Sequence, residues 1–218
     1  MIFALVPCMI ALASADLAVD ASPLMDKLNQ ALSSKLGDIN AKLAAGMKTK
    51  DPMMVNVEKG PLHVDKISDL SSLRVESFKV TGFHMPNLAM ALSGAWSGDL
   101  NVNGFVDALG KKVPVDAALH GVSFKSDEID MNLKRNPLEI QGFNVKSLEV
   151  SIQSITCQVH FAMPALANIV SKLADKKINE SKGKIAEKLS EKMKEVLGNT
   201  LNEKIKGALN GKLHEMMR

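Results

Sequence analysis

The C-terminal quarter of the chain, residues 163–218, constrains the fold more than any other stretch. Apolar residues recur there at three- and four-residue steps, with lysine, glutamate, asparagine and serine between them. This spacing predicts an amphipathic α-helix, and Pro164 suits its first turn. Unbroken, the helix would span roughly 80 Å, whereas a compact domain of about 200 residues is some 40–45 Å across. We therefore predict an elongated fold or a helix that breaks, at Asn179–Gly183, where the apolar phase is lost, or at Gly198.

A second amphipathic helix is predicted near the N-terminus, over residues 23–45. Ser22 and Pro23 form a capped helix start, and apolar residues follow at helical spacing. Gly46 is the kind of residue that follows the last turn of a helix. Residues 47–61, with Pro52 and Gly60, are predicted to be a linker.

From Leu62 to Phe161 the apolar period changes from 3.6 to 2, which is typical of strands. The alternation predicts strands around residues 73–80, 88–92, 96–106, 113–119, 129–133, 143–152 and 155–161. It slips at Ser77 and at Ser147, as at a β-bulge, and Gly110 marks a hairpin turn. Short connections between consecutive strands imply an antiparallel sheet with one apolar face. The order helix, sheet, long helix predicts a single α+β domain.

The first fifteen residues are uncharged and mostly apolar, and they end in Ala13-Ser14-Ala15. That ending predicts a signal peptide over 1–15 and a secreted, extracellular domain over 16–218, although no Lys or Arg precedes the apolar run. The alternative is a buried N-terminal strand or helix. Without Cys8, the mature chain has the single cysteine Cys157, so its core has to stabilise it. With no Tyr and one Trp, the chain lacks platforms for stacking bases, so we expect no nucleic-acid partner.

The motifs that usually indicate catalysis or metal binding do not occur in the sequence. Asp99–Gly104 fits the first half of an EF-hand calcium loop, but Gly110 stands where the loop requires a bidentate Glu. We interpret Asp99–Gly104 as polar positions on the outer face of a strand. The five histidines have no ligand spacing, and no nucleophile elbow or phosphate-binding loop is present. The sequence therefore offers no residues from which catalysis can be argued, and we expect no metal and no cofactor.

Two further features bear on function. Asn179-Glu180-Ser181 is a glycosylation sequon, so Asn179 is a candidate glycosylation site on a secreted chain. The chain has 13 methionines and few aromatic residues, and flexible thioethers adapt to irregular apolar guests as well as filling a core. The lone Cys157 alternates with Ile155 and Val159 on the apolar face, which favours a buried thiol over a reactive one.

Taken together, the pattern resembles the group 7 mite allergens, and through them the lipid-binding superfamily of bactericidal permeability-increasing protein. Lys50–Val55 is similar to the Asp-Pro-Met stretch that follows the first helix in that family, and Leu73–Phe83 resembles the next strand. The order of signal peptide, helix, sheet and long helix is also similar. The resemblance implies a curved antiparallel sheet wrapped around the long helix, with apolar space between them for lipid-like molecules, and no enzyme activity.

Our leading hypothesis is a non-enzymatic carrier of an apolar, lipid-like ligand held between the concave sheet and the long helix. Burial of apolar area would supply the binding energy, at about 25 cal/mol per Å². The candidate ligand-binding residues are Leu100, Val102, Val115, Leu119, Ile155, Val159, Ile169, Leu173, Leu189 and Met193. The alternative that the same residues form a filled core stays open, because periodicity does not distinguish the two.

A second hypothesis is binding to an anionic membrane or bacterial lipid surface through the basic C-terminal helix, where residues 171–218 hold 12 Lys+Arg against 7 Asp+Glu. The lysines on its polar face are Lys182, Lys184, Lys188, Lys192, Lys194, Lys204, Lys206 and Lys212. Interleaved glutamates argue against it, because they suit ion pairing on an ordinary solvated face. A hydrolase with an unrecognised site is the third hypothesis, and no constellation of residues supports it.

Overall fold

The structure is a computed structural model that describes residues 22–84, 87–108, 110–134, 139–160 and 164–217. The predicted signal peptide and Phe161 lie outside these residues. The helices are α1 (Ser22–Ser34), α2 (Leu36–Lys48), α3 (Pro164–Thr200) and α4 (Lys206–Met217), with a π-helical segment, Leu201–Ile205, joining the last two. The strands are β1 (Met53–Lys59), β2 (Leu62–Ser68), β3 (Leu73–His84), β4 (Asn87–Trp96), β5 (Leu100–Ala108), β6 (Lys111–His120), β7 (Ser123–Lys134), β8 (Glu139–Val145), β9 (Glu149–Ser151) and β10 (Ser154–Val159).

The described strands form two antiparallel sheets. Sheet 1 has the order β1-β2-β5-β6-β10, and sheet 2 has the order β3-β4-β7-β8, with β9 also paired to β7. Along the strands of both sheets, buried apolar residues alternate with more exposed residues, so each sheet has one apolar face. These faces and the inward rows of the helices share one apolar core. The predicted α+β class is confirmed, and the strands are divided between two sheets.

Sheet 1 curves around α3. The helix contacts β1 and β10, the two outer strands of the sheet, which would be roughly 19 Å apart in a flat arrangement at about 4.8 Å per strand. Lys182 Nζ donates to the Gln153 carbonyl (2.9 Å) beside β10, and Lys184 Nζ donates to the Glu58 carbonyl (3.5 Å) in β1. Because adjacent helix residues reach both edges, the sheet has to bend around the helix, as predicted.

The predicted break at Asn179–Gly183 is wrong. Helix α3 runs without interruption through this stretch, and Ile178, Ser181 and Ile185 are all buried. Ser181 occupies the inward position that the apolar pattern leaves empty, and its hydroxyl donates to the Lys177 carbonyl (2.8 Å) within the helix. The polar side chain therefore lies buried without an unpaired group.

The helix also continues through Gly198, the other predicted break, and changes its winding at the π-helical segment. The buried row from Ile185 to Leu209 has a strict four-residue spacing: Ile185, Leu189, Met193, Leu197, Leu201, Ile205 and Leu209. An α-helix has 3.6 residues per turn, so each four-residue step rotates the row by about 40° away from the sheets. A π turn takes in an extra residue and turns the row back.

Helix asparagines close both outer edges of sheet 2. In each case the amide oxygen accepts a backbone N–H at 2.6–2.8 Å, and the amide nitrogen donates to the carbonyl of the same residue at 2.9–3.3 Å. The pairs are Asn29 with Val80 and Asn40 with Val75 on β3, and Asn202 with Phe143 and Asn210 with Ile140 on β8. Each side chain thus replaces a missing neighbouring strand.

The predicted N-terminal helix is present, but it is divided at Lys35 into α1 and α2. Gly46 was predicted to follow the helix, and this is wrong, because α2 continues to Lys48. A Cβ on Gly46 would lie 3.1 Å from Thr200 Oγ1. The glycine therefore serves the close crossing of α2 and α3.

The predicted strand positions are largely confirmed, with three differences. The irregularity at Ser77 is a register shift, and β5 and β6 form the hairpin at Gly110. The predicted strand over 96–106 is two strands in different sheets, and the one over 143–152 is β8 and β9. The predicted linker contains β1, whose alternation of Met53, Val55 and Val57 is short and lies between Pro52 and Gly60.

Candidate functional site

The concave face of sheet 1 brings together the six sheet residues that the sequence nominated. Across β5, β6 and β10 the register places Leu100, Leu119 and Ile155 in one row and Val102, Ala117 and Cys157 in the next. A third row contains Gly104, Val115 and Val159. Of these side chains, Leu100, Val102, Val115, Leu119 and Ile155 are buried, and Val159 is half-buried.

The four nominated helix residues lie in different surroundings. Leu189 and Met193 are buried, Leu173 is half-buried, and Ile169 is 65% exposed. The sequence placed Ile169 at the helix–sheet interface, and its side chain is instead largely exposed, next to the buried Val170. Leu189 and Met193 follow Lys184, beyond the start of β10, so they belong to the shared apolar core but lie away from the part of α3 that faces β10.

The contact of Lys182 with Gln153 allows an estimate of which β10 residue lies beside each residue of α3. Helix α3 runs back along β10, and the six residues from Gln153 to Val159 span roughly 20 Å at about 3.3 Å each. The same distance corresponds to about 13 helical residues at 1.5 Å each, which places Ile169 level with Val159 and Leu173 near Cys157. We call these four residues the mouth.

The inward row of α3 is buried from Val170 onward, whereas the residues of the mouth are not. Ile169 and Leu173 are exposed or half-buried, as are Val159 and Cys157 on the strand. One level further in, Ile178 is 1% exposed, and Ile155 is buried opposite it. Ala117 pairs with Cys157 in the same row of the sheet, and Ala174 follows Leu173 on the helix, so small buried side chains lie at the level of the mouth. The four residues of the mouth therefore form an uncovered apolar surface beside the buried row of the helix.

Cys157 lies on the inward face of β10, but it is half-buried rather than fully buried as predicted. Burial raises the pKa of its thiol to about 11, and the carboxylates of Asp175 and Asp116 add to this effect. The group is therefore a neutral thiol near pH 7. Such a side chain lines an apolar surface and is a poor nucleophile.

Three open clefts on the described part of the surface have volumes of about 340, 430 and 380 Å³. They lie between β1 and α3, on the outer face of sheet 2, and between β8 and α3. Polar side chains form much of each lining, and none of the three is lined by any of the ten nominated residues. These clefts are thus separate from the mouth.

The outer face of sheet 1 carries the polar residues of the calcium-like segment, as interpreted from the sequence. Asp99 pairs with His120 (2.8 Å), and Asn103 donates to Asp116 (2.7 Å), whose other carboxylate oxygen contacts His160 (2.9 Å). The hydrogen bonds from Asn103 and His160 lower the pKa of Asp116. Within the described residues, no three His, Cys, Asp or Glu side chains are grouped as metal ligands.

The lysines of the long helix are partly engaged with the sheets. Lys182, Lys184, Lys194 and Lys206 donate to strand or loop carbonyls, and Lys188 pairs with Glu191 (2.8 Å). Asn179 is exposed on α3, and its amide donates to the Asp175 carbonyl (2.8 Å). Within the described residues, no helix has the length and apolar character that crossing a membrane requires.

Comparison with known proteins gives fold-level similarities at low identity. No family model matches the chain, and no curated protein matches it. The structure is similar to that of lipopolysaccharide binding protein, with a TM-score of 0.45 and 14% identity over 83% of this chain. The chain spans 39% of the length of that protein. It is also similar to Takeout 1 of Epiphyas postvittana, with a TM-score of 0.38 and 12% identity over 86% of this chain and 93% of the other. The resemblance to group 7 mite allergens stays a prediction.

Proposed function

We propose that the chain is a secreted, non-enzymatic carrier of an apolar, lipid-like ligand. The ligand enters at the mouth and lies between the concave face of sheet 1 and α3. The observation that carries this proposal is the uncovered apolar surface at the mouth, which lies beside the buried row of Val170 and Ala174 on α3. Ile169 is 65% exposed, and Leu173, Cys157 and Val159 are half-buried. A ligand that covered these side chains would remove further apolar surface from water, and burying one aliphatic side chain completely contributes about 1.5–3 kcal/mol.

The small side chains at the level of Cys157 and Leu173 support the same proposal. Ala174 on the helix and Ala117 on the sheet are small, whereas the following layer contains Ile178, Leu119 and Ile155. A chain that displaced Leu173 from its half-buried position would therefore meet small side chains first. In this arrangement Leu100, Val102, Val115, Leu119 and Ile155 form the wall, and Val159, Ile169 and Leu173 form the mouth.

The proposal is tested by placing a charge at the mouth. Ile169→Glu is expected to weaken uptake of a fluorescent fatty acid about tenfold, because the ligand then has to desolvate a carboxylate. Met54→Glu is the matched control, since Met54 on β1 is the other large, exposed apolar side chain in the described part of the chain. Both side chains are more than half exposed, so neither substitution is expected to unfold the protein.

Native mass spectrometry of freshly purified protein provides a second measurement, in which a bound lipid appears as added mass. Vesicle sedimentation with anionic lipid, with and without salt, separates carriage from surface binding by the lysines. An absence of both co-purifying ligand and probe uptake would exclude the carrier function. Salt-sensitive vesicle binding with no uptake would favour the surface function instead.

A further inference from the structure

The outer edge of β10 differs from the outer edges of sheet 2. Asparagines close β3 and β8 with paired hydrogen bonds to the backbone. Strand β10 pairs with β6 on one side only. Among the described residues, neither a helix asparagine nor another strand pairs with its other side. In the described part of sheet 1, β10 and β1 each pair with a strand on one side only, and β10 is the one that forms a wall of the mouth.

The direction of the backbone groups on β10 follows from its hydrogen bonds. His160 N–H donates to the Pro114 carbonyl (3.2 Å), so the even-numbered residues of β10 bond to β6. The bond from Asp107 N–H to the Pro61 carbonyl (2.7 Å) sets the same alternation across β5 and β6. The N–H and C=O groups of Ile155, Cys157 and Val159 consequently point away from β6. Their side chains are those that line the mouth and the wall behind it.

Backbone groups beside an apolar surface need hydrogen-bond partners, because an unpaired group loses its bonds to water when that surface is covered. A hydrocarbon that entered the mouth would cover this edge without supplying partners. A ligand with a hydrogen-bonding head group would supply them. The open edge therefore favours apolar ligands that have a hydrogen-bonding head group over plain hydrocarbons.

We propose that the open edge of β10 is a head-group subsite, and that the ligand is an amphiphile with an uncharged head group that both donates and accepts hydrogen bonds. Alcohols, primary amides and monoacylglycerols have this chemistry. The inference rests on the proposed carrier function, since it assigns the polar end of the same ligand. It adds the chemical class of that ligand.

The preference for an uncharged head group follows from Asp175. This residue lies on α3 within two positions of the level of Cys157, and Asn179 donates to its carbonyl. Its negative charge, with that of Asp116, helps to raise the pKa of the Cys157 thiol, so the field at the edge disfavours anions. A carboxylate head group there would meet like charge.

Four probes with the same sixteen-carbon chain test the inference by competition with a fluorescent ligand: hexadecane, hexadecanol, palmitamide and palmitate. Hexadecanol and palmitamide are expected to compete at concentrations at least tenfold lower than hexadecane, and better than palmitate at pH 8. Asp175→Asn is expected to lower the concentration at which palmitate competes several-fold and to leave the concentration at which hexadecanol competes unchanged.

A backbone variant addresses the edge directly. Cys157→Pro removes an N–H that points away from β6, and proline is tolerated at such positions of edge strands. It is expected to reduce the advantage of hexadecanol over hexadecane at least threefold. Cys157→Ala removes the same sulfur but keeps the N–H, so it should change competition by hexadecanol and by hexadecane equally. Circular dichroism checks that each variant is folded.

The outcomes are distinguishable. If no probe binds, the carrier function fails and this inference fails with it. If hexadecane binds as well as hexadecanol, or if palmitate binds best and Asp175→Asn has no effect on it, the carrier function stands and the head-group subsite is overturned. Should Cys157→Pro fail to fold, the probe series and Asp175→Asn decide the question alone.

Discussion

At the scale of single residues, Cys157 shows how the mouth controls chemistry. Its side chain lies on the inward face of an edge strand, where burial disfavours the thiolate and two carboxylates add to that effect. The same surroundings that suit an apolar guest therefore suppress the nucleophile. A half-buried cysteine at an opening is usually a target for thiol reagents, and here the electrostatics oppose it.

We predict that alkylation of Cys157 is slow and strongly pH-dependent. With the pKa raised from 9.0 to about 11, the thiolate fraction near pH 8 falls about a hundredfold below that of an unperturbed thiol. Because the unfolded thiol ionises at lower pH, folding stability present below pH 9 is lost as pH rises towards 11. Rates of alkylation of Cys157 by iodoacetamide, measured from pH 7 to 11 in the folded and the unfolded chain, give the two pKa values. The change of stability with pH follows from their difference. Equal rates in the two states at pH 8 would contradict the prediction.

Single residues also explain where the sequence was insufficient. The apolar row of α3 was predicted to fail at residues 179–183 because serine was counted as outward-facing. Ser181 is buried, since its hydroxyl is satisfied within the helix. Ile169 is the converse case, an apolar residue that the pattern assigned to the inward face, although the buried row runs through Val170 and Ile178 and leaves Ile169 65% exposed. Periodicity assigns a face, but it does not tell how closely that face is covered.

At the scale of elements, the edges of the sheets are treated differently. Each edge of sheet 2 is closed by two helix asparagines, and the helices that carry them bury apolar rows on the same sheet. No sequence pattern indicated this role, because asparagine is common on solvated helix faces and each partner lies 35 to 70 residues away. The strands could be predicted from alternation, whereas the closure of their edges depends on tertiary structure.

We predict that Asn202→Ala destabilises the protein by about 1–3 kcal/mol, because it leaves the N–H and C=O of Phe143 unpaired at a covered edge. Asn199→Ala is the matched control, since Asn199 is exposed three residues earlier, in the last turn of α3, and the change of residue type is the same. Urea denaturation measures both variants. Equal stability of the two variants would show that the asparagine is not required to close the edge.

At the scale of the whole molecule, α3 joins the two sheets into one body. It contacts both edges of sheet 1 near Lys182 and Lys184, and further along it contacts β8 and β9 of sheet 2. The fold is elongated because one helix serves both sheets in succession, which was one of the two outcomes that its length allowed. The sequence predicted the helix and the strands. It did not predict two sheets, because alternation does not reveal which strands pair.

The last prediction concerns the continuity of that helix. If α3 is unbroken, its amides from 170 to 197 should exchange slowly as one cooperative unit, including 179–184, where the sequence suggested a break.

Gly183 offers an independent check, because it is helical and a Cβ there would meet nothing within 4 Å. Gly183→Ala should therefore stabilise the protein by about 0.5–1 kcal/mol. Gly46→Ala, in α2, is the contrasting variant, since its Cβ would lie 3.1 Å from Thr200 Oγ1 and the crossing would have to widen. Fast exchange confined to 179–184, together with a loss of stability in Gly183→Ala, would mean that the helix breaks there and that the two sheets are joined less rigidly.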